Sequence, residues 1–213
     1  MAQRVIVRLI PLEAFALAAL LGYVLTSVNL APDATVALSL AGQPPAGTTG
    51  SLSPVFTPEV LRWENEITTW AAAYSLDPNL VATVMQIESC GNPRVVSNAG
   101  AQGLFQVMPF HFAAGEDTLD PQTNAARGLA YLARGLELAG GQAGLALAGY
   151  NGGHSQIGRD ASLWPGETRR YYYWGSGIYA EASAGAAQSE RLAEWLAAGG
   201  ASLCAQAAQE SVR

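Results

Sequence analysis

Asp77-Pro78-Asn79-Leu80-Val81-Ala82-Thr83-Val84-Met85-Gln86-Ile87-Glu88-Ser89-Cys90 reads as one complete helix with its start and stop signals in place. A carboxylate cap and a proline open it, and Cys90-Gly91 before Asn92-Pro93 closes it. Leu80, Val81, Val84, Met85 and Ile87 recur at helical spacing and make an apolar face. Glu88 is the last charged residue of this helix. It stands four positions after Val84 and seven after Val81, which places it on the edge of that apolar face. A carboxyl group there loses part of its water. Burial disfavours the charged form and raises the pKa, which suits a group that donates a proton near neutral pH. The plainer alternative is a boundary glutamate bonded to the amides of the following loop.

The flanking segments carry the same helical grammar. Thr57-Pro58-Glu59 opens a helix that continues through Leu61, Trp63, Ile67, Trp70, Ala71 and Tyr74. Further helices are expected over residues 123–138, 144–150, 167–180 and 186–198. Thirty-nine alanines and 23 glycines among 213 residues favour closely packed helices over a sheet, where β-branched residues would dominate. The expected class is all-α or mainly α. With 50% apolar and 13% charged residues the chain has enough to bury for one domain of about 150 residues plus an appendage. Its eleven basic residues are all arginine, and a net charge of −6 leaves no basic stripe for nucleic acid. Two cysteines and two histidines, with no CxxC, HExxH or EF-hand loop, predict no metal site, and no cofactor is expected. Cys90 and Cys204 are an even pair that either form a disulfide or remain two buried thiols.

Arg4 and Arg8 precede a stretch, residues 9–30, whose one charge is Glu13. Residues 1–31 therefore read as an export signal or a membrane anchor, with later residues outside the cytoplasm. Residues 32–56 are rich in Pro, Gly, Ser and Thr and read as a flexible linker. The folded domain is expected over 57–182, followed by a helical extension over 183–213.

Three short motifs follow in order: the helix-end pair Glu88-Ser89, the segment Gly100-Ala101-Gln102-Gly103-Leu104-Phe105-Gln106-Val107-Met108-Pro109, and Tyr150-Asn151-Gly152-Gly153. With Glu167-Thr168-Arg169-Arg170-Tyr171 after them, residues 60–180 resemble the catalytic domain of soluble-type (SLT) lytic transglycosylases, whose lysozyme-like fold cleaves peptidoglycan. The resemblance implies that Glu88 is the sole catalytic acid and base. It implies that Ser97 contacts the substrate's N-acetyl group and that Gln106 and Met108 line the cleft. Tyr150 and Asn151 would form the opposite wall, with Tyr150 hydrogen-bonding near Glu88, and Tyr171 would be the tyrosine that follows Glu-Thr-Arg. Gly149 and Gly152 stand where alanine is usual in that family, which predicts a looser wall behind Tyr150. The implied partner is a peptidoglycan glycan strand, with other envelope proteins as further candidates.

Hydrolysis of a glycosidic bond ordinarily needs two carboxyl groups. Glu116, Asp117, Asp120 and Glu167 are the candidates for a second, but each sits in a context with a plainer role: a solvated loop, an N-cap, or the first turn of a helix. With Glu88 alone, the resemblance implies closure of the sugar's own C6 hydroxyl on C1. The competing expectations are a lysozyme-like hydrolase and a non-catalytic wall-binding or structural subunit. Tyr171-Tyr172-Tyr173-Trp174 point all round a helix, so they divide between core and cleft, and His111 and His154 read as loop surface.

Overall fold

The structure is a computed structural model, and it describes residues 52–210, all within one compact unit, Gln43–Arg213. The stretch expected to be a signal or anchor lies outside the described residues, as does most of the expected linker. Eight α-helices follow in order: α1 (Pro58–Leu61), α2 (Glu64–Ala73), α3 (Pro78–Glu88), α4 (Pro121–Leu138), α5 (Ala143–Gly152), α6 (Gly166–Ser183), α7 (Glu190–Trp195) and α8 (Ala201–Glu210). The mainly helical class expected from the sequence is what these residues form. Extended pairing among them is limited to two isolated antiparallel bridges, Val96 with Gln102 and Gln102 with Val107. No described helix is long and apolar enough to cross a membrane.

α3 is the central element. Every residue from Leu80 to Gln86 is buried, so the helix is enclosed all round rather than on one face. It packs against α1, α2 and α6, while α5 packs against both α4 and α6. Asp77 caps its start by accepting the Asn79 N–H at 2.8 Å, and Asp120 caps α4 by accepting the Thr123 N–H at 2.8 Å. The buried Gln86 is satisfied by accepting from the Thr57 N–H and by donating to the Cys90 sulfur.

Two sequence expectations change. The single helix expected from Thr57 is broken at Arg62 and Trp63 into α1 and α2. Trp63 turns inward there, and its indole N–H donates to the Gly91 carbonyl at 2.9 Å. The linker does not extend to residue 56. Leu52, Val55 and Phe56 are buried in the main core, because apolar side chains in a Pro/Ser-rich stretch still gain by burial once a helix surface is beside them. The C-terminal extension also joins that core through Leu192, Trp195, Cys204 and Ala207. Cys90 and Cys204 form a disulfide with their Cα atoms 5.0 Å apart. Arg62 reinforces this junction by donating to the carbonyls of Gly91 and Ala207.

Candidate active site

Glu88 ends α3, and the chain turns sharply after it. Cys90 and Gly91 both take positive φ, and a Cβ on Gly91 would lie 2.3 Å from the Glu59 carbonyl oxygen, so position 91 admits only glycine. Ser89 ties the end of the helix to the segment 100–109: its hydroxyl donates to the Leu104 carbonyl at 2.7 Å and accepts the Gly91 N–H at 3.0 Å.

The segment 100–109 is held by one buried residue of α4. Asn124 donates to the carbonyls of Gln102 (2.7 Å) and Thr118 (3.0 Å) and accepts the Phe105 N–H (2.9 Å). A Cβ on Gly103 would meet the Asn124 amide at 2.5 Å, so the glycine is what lets it approach. Sequence reading passed over Asn124. Its signal was an amide in register with the apolar positions Gly128 and Leu132, four and eight residues on.

Tyr150 reaches the same segment from α5 and donates to the Phe105 carbonyl at 2.7 Å. This corrects the expectation of a hydrogen bond beside Glu88; Tyr150 couples to that carboxyl through charge, and burial pushes its own phenol pKa well up. The group facing Glu88 is the buried Tyr171. Its hydroxyl lacks an aligned hydrogen-bond partner but stands near enough to the carboxyl for each to shift the other.

Two cavities meet at Asn151. One, about 280 Å³, is lined by Glu88 with Ile87, Glu167, Arg170, Tyr171, Trp174 and Trp195. The other, about 300 Å³, holds Gln106, Met108 and Tyr150 with the rings of Phe110, His111 and Tyr131. Asn151 is braced by accepting from the Thr168 hydroxyl at 3.0 Å. The Glu88 side chain keeps some surface open to its cavity, yet the protein packed around the carboxyl strips most of its water. Desolvation raises its pKa to about 8, partly offset by Tyr171 and reinforced by the negative charge of Glu167.

Of the residues singled out in the sequence, Glu88, Gln106, Met108, Tyr150, Asn151 and Tyr171 line these two cavities. Ser97 lines neither; its hydroxyl accepts the Ala101 N–H at 3.0 Å and closes a turn. Gln106 borders its cavity, but its side-chain N–H groups are committed to the carbonyls of Val95 and Gly103. It holds a backbone with φ of +45°, so it braces the wall it belongs to. The wall behind Tyr150 is not loose. A Cβ on Gly149 would come within 2.7 Å of Ile157, and one on Gly152 within 2.5 Å of the Thr168 hydroxyl, so both glycines bring neighbouring side chains closer. Sequence reading missed the ring stack. Tyr131 lies flat on His154, with centroids 3.9 Å apart at 12°, and His111 adds a tilted contact at 5.0 Å. Burial lowers the His154 pKa. No spacing rule links positions 111, 131 and 154.

The described residues form a mainly helical domain in which a desolvated carboxyl, Glu88, lies in a cavity beside a second one lined by amides and aromatic rings. Residues 65–170 match the family described as the transglycosylase SLT domain. The chain is similar to a transglycosylase of Enterobacteria phage PRD1, 39% identical over 113 residues (52% of this chain, 40% of that protein). It is also similar to an endo-type membrane-bound lytic murein transglycosylase A of Klebsiella pneumoniae, 33% identical over 100 residues (38% of this chain, 48% of that protein). Among solved structures, an inactive mutant of the lytic transglycosylase Slt of Pseudomonas aeruginosa aligns with a TM-score of 0.46 at 22% identity, over 56% of this chain and 24% of that one. Residues 65–170 are a transglycosylase SLT domain. The chain spans less than half the length of these curated relatives.

Proposed function

We propose that this protein cleaves the β-1,4 bond between N-acetylmuramic acid and N-acetylglucosamine in peptidoglycan without consuming water, leaving 1,6-anhydro-N-acetylmuramic acid ends. The observation that carries this reading is the Glu88 carboxyl, set in a cavity with Tyr171 and Asn151 and holding its proton up to about pH 8. At pH 7 about nine-tenths of such a group is protonated. Glu88 gives its proton to the glycosidic oxygen as the C1–O bond breaks, and the substrate's own N-acetyl group supports the anomeric carbon. The carboxylate so formed takes the proton from the C6 hydroxyl, whose oxygen bonds to C1. Glu88 ends as it began, and atoms balance without water. An attacking hydroxyl on the same ring has a high effective concentration, so it outruns water when the ring is held still. Asn151 and the rings of the neighbouring cavity would provide that hold.

One observation favours a second, hydrolytic reading: Glu167 lines the same cavity as Glu88, so a second carboxylate is present there to act as a base. Mass spectrometry of purified peptidoglycan after digestion separates the two, because anhydro ends are lighter by one water than hydrolysed ends. E88Q is expected to release nothing. Equal muropeptide release by wild type and E88Q would sink both enzyme readings and leave a wall-binding role. The site of action we propose is the outer side of the cytoplasmic membrane, reached through residues 1–31, with the glycan strand as the partner; other envelope proteins are further candidates.

A further inference from the structure

One wall of the Glu88 cavity comes from outside the stretch matched by the family. Trp195 closes α7, is 6% exposed, and lines that cavity beside Ile87 and Trp174. Its position is held from three directions. Its ring lies on Gly200, where a Cβ would come within 2.4 Å of the indole carbons. Gly199, with φ of +127°, turns the chain so that α8 runs back to Cys204, which is bonded to Cys90 two residues past Glu88. At the other end of α7, the Glu181 carboxylate of α6 accepts from the Ser189 hydroxyl and the Arg191 N–H, and the Arg191 guanidinium sits 3.8 Å above the Tyr173 ring. The C-terminal segment is thus fastened to α6 and to the end of α3, and between those fastenings it presents one indole to the cavity of the acid.

We propose that Trp195 is a positioning residue for Glu88, an apolar wall that keeps water from the carboxyl, so that residues 190–204 belong to the working site. The inference rests on the reading of Glu88 as the acid. The titratable and charged groups facing that carboxyl are Tyr150 from α5 and Glu167, Arg170 and Tyr171 from α6; α7 adds none to the cavity. Removing the indole therefore changes solvent access and leaves the set of charges as it was.

The test compares wild type, W195A, W195F and G200A in the full chain. The Glu88 carboxyl is titrated by carbon-13 NMR, with E88Q assigning its signal, and turnover of uncross-linked glycan strands is followed against pH. The Glu88 midpoint and the alkaline limb of the rate profile are expected to fall by about one pH unit in W195A, a tenfold loss of proton affinity. W195F should restore most of it, and G200A, which pushes the ring off its seat, should move it in the same direction. A purely structural tryptophan would lower the amount of folded protein without moving either midpoint. An unmoved Glu88 midpoint in folded W195A overturns the proposal; if W195A does not fold, G200A decides by the same measurement. Loss of the function reading shows separately, as absence of turnover in wild type, while the NMR titration still decides on Trp195.

Discussion

Replacing Glu88 by glutamine should stabilise this domain, and by an amount that depends on pH. The folded state holds the Glu88 proton up to about pH 8, whereas an unfolded chain releases it near the ordinary value of 4.5. Between those limits the native state binds the extra proton, so the contribution of this group to stability is fully present below the unfolded pKa. It is lost as pH rises toward the folded pKa, at up to about 1.4 kcal/mol per pH unit, and levels off above it. At pH 7 the upper bound is about 3 kcal/mol, and the opening of the side chain to its cavity brings the expected figure to about 2 kcal/mol. Glutamine keeps the shape and never ionises. For a domain of this size, E88Q should melt about 4–8 °C above wild type at pH 7 and about equal to it at pH 4.5. Paired calorimetric melts across that range, with the disulfide intact, read the difference, and contributions from other titrating groups cancel. A difference that does not change with pH, or an E88Q protein less stable than wild type at pH 8, would refute the argument from desolvation.

Asn124→Ala removes three hydrogen bonds of a buried side chain at once and leaves the amide of Phe105 and the carbonyls of Gln102 and Thr118 short of a partner. A loss of about 3–5 kcal/mol is expected in urea unfolding, together with a fall in turnover as the 100–109 segment loosens. Gly149→Ala puts a methyl group within 2.7 Å of Ile157 and should cost about 1–3 kcal/mol, part of which Ile157→Val recovers in a double-mutant cycle. Breaking the disulfide with the pair C90A and C204A frees a loop of 114 residues and should cost about 4–5 kcal/mol by chain entropy, read as a lower melting temperature that reductant no longer changes.

Helices α3 and α4 were legible because each carries its signals locally. Asp77-Pro78 and Asp120-Pro121 cap α3 and α4 where the sequence places them. The break between α1 and α2 was not legible, since it depends on the Trp63 indole finding the Gly91 carbonyl 28 residues away. In the candidate site, Glu88 stood out because a carboxylate at an apolar helix edge is costly and needs a reason. Ser97 and Gln106 were read as facing substrate, yet their polar atoms serve nearby backbone, a partition that residue type does not reveal.

What the sequence alone determined is therefore most of the helices and the mainly α class, which follow from local spacing and composition; Glu88 was singled out as a candidate by its place at an apolar helix edge together with the family resemblance. Only the tertiary structure decided that Tyr171 faces Glu88 while Tyr150 serves Phe105, that Asn124 pins the 100–109 segment, and that Trp195 walls the Glu88 cavity. Such pairings join residues far apart in the chain. Their energies come from burial and from satisfying polar groups once the helices have packed, and no local pattern records that packing.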